Sequence, residues 1–158
     1  MTLPETLLPR LSEWRPAGAG RHSWAESFPD AGWTVQIAAD KTDSLSCLVW
    51  EMTLNRTADV PAGLTLSTWA AGIASRVAGL MEQLKVHEVD QHRGEAILRS
   101  VAPAKKGDAL AYYEVRLPNL NTAVVRRFTA SKVESGRDQV PFALTHETIA
   151  KIVGDIAG

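Results

Sequence analysis

The sequence predicts an α+β protein in which one antiparallel sheet carries a long central helix and a C-terminal helix. Three observations point to it. Between residues 22 and 54, apolar and polar residues alternate with period two in three runs parted by short turns. At 66–84, Leu66, Trp69, Ala70, Ile73, Val77, Leu80, Met81 and Leu84 keep the three-and-four spacing of one helical face. Near the end, Ile149, Ile152, Val153 and Ile156 form a second such stripe behind Thr145, a capping residue type.

Residues 1–21 are expected to be an irregular N-terminal segment, punctuated by Pro4, Pro9 and Pro16 and closed by the flexible PAGAG at 16–20. Leu7, Leu8, Leu11 and Trp14 have the spacing of a short helix, against which Pro9 weighs. HSWAESF, WTVQIAA and LSCLVWEMTL then read as a three-stranded meander. Trp33, Val35, Ile37 and Ala39 share one face of its second strand, and Leu48, Trp50, Met52 and Leu54 one face of its third. A loop at 55–64 leads to the helix predicted over 66–84, capped by Thr65 or Ser67. Gly72 and Gly79 each cost this helix about 1 kcal/mol relative to alanine, so their shared stripe implies a close neighbour.

The second strand group is VHEVDQ, EAILRSV, ALAYYEVRL and AVVRRFTAS. Pairing the last two about PNLN sets Val115 opposite Val125 and Glu114 opposite Arg126. KVESGRDQVPF at 132–142 reads as a long polar excursion before the last helix. The predicted order is therefore β-β-β-α-β-β-β-β-α, with residues 22–158 forming a single α+β domain.

At 158 residues, 45% of them hydrophobic and 22% charged, the chain can bury a full core. With 17 basic against 18 acidic residues it lacks the basic excess of a nucleic-acid or anionic-membrane binder. Cys47 is the only cysteine, which excludes an intrachain disulfide and fits a reducing compartment. The opening MTLPETLLPRLSEW has no basic n-region and no unbroken apolar run. No segment approaches the roughly 20 apolar residues of a membrane span. These features predict a cytoplasmic protein without nucleic-acid or membrane partners.

Few residues suggest chemistry. HEVDQH at 87–92 lies close to the HExxH zinc signature. Its histidines are five apart, however, which is about 140° around a helix and opposite faces of a strand. Strand and turn is the predicted reading. On a strand Glu88, Asp90 and His92 would share a face, a set able to hold a divalent cation, but a polar edge neutralised by Arg93 accounts for it. No metal and no cofactor are predicted. Cys47 sits in the apolar LSCLVW, where a buried thiol is expected rather than a nucleophile. No P-loop, G-x-G-x-x-G, C-x-x-C or G-x-S-x-G motif is present.

The five tryptophans all fall in the first half. Trp33, Trp50 and Trp69 lie on apolar faces and are expected in the core. Trp24, which shares a face with His22 and Glu26, and Trp14 are candidates for partner binding or for sealing the sheet edge. Arg99, Arg116, Arg126, Arg127 and the pair Lys105–Lys106 crowd the second strand group. They suggest a phosphate or acidic-partner site, or a solvated face interleaved with Glu95 and Glu114. Tyr112 and Tyr113 would stand near Trp69 in any pocket between the 66–84 helix and the sheet. Trp14, Trp24, Tyr112 and Arg126 are thus the candidate ligand- or partner-binding residues, and no catalytic residue is assigned.

SWAESFPDAGWTVQI, with Pro29, Gly32 and Trp33, resembles the strand, Pro, Gly-Trp, strand entry of the Mog1/PsbP-like group. The predicted element order also resembles that group and, equally, the type III secretion chaperones, which are small dimeric α+β proteins. Either resemblance implies a non-enzymatic accessory or protein-binding domain and supplies no catalytic motif. The expectation is a small bacterial-type protein acting through protein–protein contact, with a homodimer among the possible assemblies. The alternative is a small-ligand binder or enzyme with its pocket between the 66–84 helix and the sheet.

Overall fold

The computed structural model describes residues 1–131 and 133–158; Lys132, the first residue of the predicted polar excursion, lies outside them. Helix α1 (Leu3–Ser12) is followed by strands β1 (His22–Phe28), β2 (Trp33–Thr42) and β3 (Ser46–Arg56), and by helix α2 (Leu66–Arg76). Strands β4 (Leu84–Asp90), β5 (Glu95–Ser100), β6 (Ala104–Lys106), β7 (Ala109–Asn119), β8 (Thr122–Ser131), β9 (Arg137–Val140) and β10 (Phe142–Thr145) come next, and α3 (His146–Ala157) ends the chain. The α+β class with a large antiparallel sheet is as predicted. The order is not: α1, β6, β9 and β10 are additional to the predicted elements.

The ten strands make one sheet, in the order β1-β2-β3-β8-β7-β5-β4. β10 pairs with β3, β9 with β8 and β6 with β7, and every pairing is antiparallel. β3 and β8 run together only over Met52–Asn55 and Thr122–Val125 and then part. β9 follows β8 and β10 follows β3 into the opening, with Pro141 between them. A proline suits that corner because it has no backbone N–H to leave unpaired. The β7–β8 register places Val115 opposite Val125 and Glu114 opposite Arg126, as predicted.

One cluster of buried hydrophobic side chains lies between the sheet and the helices. α1 begins with a reciprocal capping box between Thr2 and Glu5 and buries Leu3, Leu7 and Leu11. Regular helix thus occupies part of the segment read as irregular. Pro9 removes one backbone donor, and the buried leucine stripe holds the helix across it. α3 is capped by Thr145, and its predicted stripe of Ile149, Ile152, Val153 and Ile156 is fully buried.

The predicted long central helix is not formed. α2 has 11 residues, starts on a Thr65–Thr68 capping box and ends where Val77 turns extended. Val77, Leu80 and Leu84 still reach the core, but from a loop and a strand start. Helical periodicity therefore overran the helix, because burial, not helicity, is what it reports. A Cβ on Gly79 would come within 2.9 Å of Thr148 and 3.0 Å of Ile152, both on α3. The atoms nearest to one on Gly72 belong to the Arg76 side chain of its own helix, at 2.5 Å. Gly79 thus lies against a neighbouring element, whereas the nearest atoms to Gly72 come from α2 itself.

A second correction concerns β3. Its core-facing residues are Cys47, Val49, Met52 and Leu54, while Leu48 and Trp50 face away. The β2–β3 register shifts twice, so that Ala38 opposes Glu51, Ala39 opposes Val49 and Lys41 opposes Leu48. Trp50 and Asp40 are each skipped, and each skip turns the strand over by one residue. Trp33 and Trp69 are buried as predicted, with rings 6.2 Å apart. Trp50, predicted in the core, is on the outer face.

Two substitutions test this arrangement. Ile73 is fully buried, so Ile73→Ala is expected to cost about 2–5 kcal/mol in denaturant melts. Met81 is the only non-glycine with positive φ among the described residues, at 61°, and its side chain is 91% exposed. Met81→Gly is expected to stabilise the protein by about 1 kcal/mol through relief of left-handed strain. A loss of stability on that change would show that the thioether makes a contact the fold needs.

Candidate functional site

All three helices pack on one side of the sheet, and the side chains of the opposite face form a connected polar network. Its centre is Glu114 on β7, whose side chain is only 3% exposed. Arg99 Nε of β5 donates to Glu114 Oε2 at 3.2 Å, and Arg137 Nη1 of β9 donates to the same oxygen at 2.6 Å. Arg137 Nη1 also donates to the Tyr112 hydroxyl at 3.2 Å. The guanidinium of Arg137 lies 3.7 Å above the Phe128 ring, and that of Arg99 lies 5.4 Å from the Tyr112 ring centre. Arg99 Nη1 and His87 Nε2 are 3.3 Å apart.

Sheet register orders this face. Lys85 of β4 stands opposite Arg99, Arg99 opposite Glu114, and Glu114 opposite Arg126 of β8. Arg126 Nε in turn donates to Glu51 Oε2 of β3 at 3.0 Å. Arg116 pairs with Glu95 at 3.1 Å on the same face. The predicted interleaving of arginines with Glu95 and Glu114 is present. Arg127 is the exception: it points to the helix side, pairs with Glu82 at 3.0 Å and covers Tyr113.

The four candidate binding residues form two separate pairs. Tyr112 and Arg126 belong to the outer-face network. Trp14 and Trp24 stand together at the β1 edge with ring centres 6.4 Å apart. Trp24 retains only 9% of its exposure and belongs to the core cluster, against which the half-buried Trp14 packs. Tyr113 is remote from any outer-face role, making an edge contact with Phe142 at 5.3 Å. Sequence reasoning missed Arg137, because RDQV was read as part of an excursion. The Ser135–Gly136 dipeptide, a turn signal between two short alternating runs, marks the hairpin that delivers it.

The space between α2 and the sheet is filled by Trp69, Ala70 and Ile73, and the Trp69 indole donates to Ile156 O at 3.1 Å. A groove of about 700 Å³ opens instead between α1 and α3, floored by Ala150, Gly154 and Ala157 and walled by Leu3, Leu8 and Trp33. Among the described residues, no three His, Cys, Asp or Glu side chains are grouped to hold a metal ion. HEVDQH runs from β4 into a turn, where Asp90 Oδ1 accepts from the backbone N–H groups of His92 and Arg93. Asp90 is thereby a turn residue. Cys47 is buried with its sulfur 3.3 Å from the Thr42 hydroxyl, and burial pushes the thiol up. No helix is long and apolar enough to cross a membrane among the described residues.

No protein-family model, curated protein or solved structure matches the chain.

His146 links three elements at the start of α3. Its backbone N–H donates to Leu45 O at 2.8 Å, and Nδ1 is 3.5 Å from Ser12 Oγ of α1. Nε2 is buried without a partner among the described residues. Burial first, and then the charge of Arg15, hold its pKa below the ordinary imidazole value against the opposing pull of Asp43. The unfolded chain therefore takes up this proton before the folded one does. Stability contributed by neutral His146 is complete above about pH 6.5 and declines as pH falls below it. Asp43, held low by the backbone N–H groups of Leu45 and Ser46, acts in a separate window. Its contribution is present above about pH 4 and lost below that. Melting temperature is thus expected to drop in two steps on acidification, and His146→Gln is expected to remove the upper step alone. A wild-type melting temperature unchanged from pH 7 to 5 would contradict this role.

Proposed function

We propose that this chain is a non-catalytic accessory domain acting through protein–protein contact, and that β1 makes the contact, with a second copy of the chain. The observation that carries this reading is the difference between the two outermost strands. β4 is guarded: it has an irregularity between Val86 and Glu88 and bears Lys85, Glu88 and Asp90. β1 pairs with β2 through seven unbroken positions from His22 to Phe28 and, among the described residues, with no other strand. Its outward residues Ser23, Ala25 and Ser27 are small and exposed. Such an edge presents unpaired backbone donors and acceptors that a second strand completes.

A two-fold axis at Trp24 makes β1 complementary to itself. His22 of each copy then faces Glu26 of the other, two imidazole–carboxylate pairs in one antiparallel ladder, with Ser23 opposite Ala25. Trp14 and Trp24 lie beside that ladder. The resemblance to type III secretion chaperones and to the Mog1/PsbP-like group supports the same non-enzymatic reading.

Sedimentation at about 100 μM, ample for a micromolar Kd, is expected to show a dimer. Ala25→Lys places the usual edge guard on β1 and is expected to give a folded monomer with an unchanged circular-dichroism spectrum. A monomeric wild type, or a dimer indifferent to this change, would overturn the proposal.

A further inference from the structure

We infer that the paired guanidinium groups of Arg99 and Arg137 form a binding site for the carboxylates of an acidic polypeptide segment. This surface lies on the outer face of the sheet and is independent of β1. Two arginines converge on one oxygen of one carboxylate, Glu114 Oε2, so the cluster keeps an uncompensated positive charge. Each guanidinium has five N–H donors. Glu114, Tyr112 and His87 engage Arg99 through Nε and Nη1 and Arg137 through Nη1, leaving both Nη2 groups without a protein acceptor among the described residues. The two side chains are 31% and 37% exposed, so these donors face solvent.

The forks are also held in place. Glu114 is buried and anchors both from below, while Phe128 and Tyr112 support the guanidinium planes. A fork positioned in advance loses less freedom when it takes up a planar carboxylate.

A second observation points to the same ligand. Lys85 stands directly opposite Arg99 and has no carboxylate partner among the described residues. Like charges in facing positions are unfavourable, and an anion lying between them relieves the conflict. Lys85, Arg99, Glu114 and Arg126 follow one another across β4, β5, β7 and β8. Neighbouring strands are about 4.8 Å apart, so an acidic chain crossing β4 and β5 meets Lys85 and Arg99 in adjacent positions, with Arg137 on the far side of the buried Glu114. The chain as a whole carries a net charge of −1, so this basic excess is local. The face is open, which suits a multivalent polyacid better than an isolated small anion.

Calorimetric titration of the full chain with hexaglutamate at low salt tests the inference, with inorganic phosphate and hexalysine as separate arms. Saturable binding of hexaglutamate is expected, weakening as salt shortens the Debye length from about 30 Å at 0.01 M to about 10 Å at 0.1 M. Arg137→Gln is expected to weaken it about tenfold. Arg137→Lys, which keeps the charge and loses the fork, should weaken it about threefold. Lys85→Gln, a change at an exposed unpaired position that leaves the Glu114 anchor intact, should also weaken it about threefold. Arg76→Gln, on the helix side, should alter it less than about twofold. The inference is overturned by absence of saturable binding, by equal losses in the Arg76 and Lys85 variants, or by phosphate binding as tightly as the peptide.

Discussion

The rest of the fold depends on a phase change in the β2–β3 hairpin, where Arg21 touches the two residues left out of register. Asp40 and Trp50 are skipped in the β2–β3 ladder. Arg21 Nε donates to Asp40 Oδ1 at 2.7 Å while its guanidinium lies 3.8 Å above the Trp50 ring. One side chain thus touches both displaced residues. The freed Trp50 carbonyl accepts from Gln139 Nε2 of β9 at 3.0 Å, so no backbone acceptor is stranded there. Because the strand turns over at this point, Cys47 and Val49 enter the core and their stretch of β3 becomes the track for β10. β10 ends at Thr145, the cap of α3. The seat of the last helix is therefore set by a phase change in the first hairpin.

Placing every helix on one side leaves the sheet to cover its own outer aromatics. Arginine supplies the cover: Arg21 lies on Trp50, Arg99 beside Tyr112 and Arg137 on Phe128. A guanidinium shields an aromatic face from water while keeping its own rim hydrated. Each of these arginines is also bonded to a carboxylate, Asp40 or Glu114. On the helix side Arg56 does related work without a carboxylate partner among the described residues. It lies 4.4 Å from the Trp33 ring centre and 5.2 Å from that of Trp69, donates to Leu120 O, and has its pKa lowered by burial.

Much of the fold was legible where burial and local geometry agree. β1, β2, the β7–β8 register and α3 follow directly from alternation or three-and-four spacing. The 66–84 stripe shows the limit, because a helix, a loop and a strand start can all bury one residue in three or four. The phase of β3 was illegible because LSCLVWEMTL contains apolar residues in both phases, and the contacts made at the shift come from Arg21, Gln139 and β10, all remote in sequence. β9 was hidden by polarity, since Arg137 and Gln139 serve the outer face; β10 turns Phe142 and Leu144 inward, but its four residues are too short a run to announce a strand. Of the candidate site, Arg126 was visible among the arginines of an alternating face, whereas Tyr112, expected beside Trp69 under the 66–84 helix, lies on the outer face instead. Glu114 as its buried centre was not, since a carboxylate so placed depends on two arginines from different strands.

Two local conflicts remain in the structure, and they differ in origin. Met81 takes a left-handed conformation at the corner between α2 and β4, where Leu80 and Leu84 on either side must both be buried. The strain follows from topology: the chain must reverse within a few residues, and the exposed side chain at the apex bears the cost. The facing of Lys85 and Arg99 has no such cause. Nothing in the packing demands a lysine at that exposed position, and an acidic residue there would complete the alternation that runs through Glu114, Arg126 and Glu51. Asp90 faces Glu95 in the same ladder, but there Arg93 and Arg116 supply the opposite charge; between Lys85 and Arg99 an anionic partner would supply it.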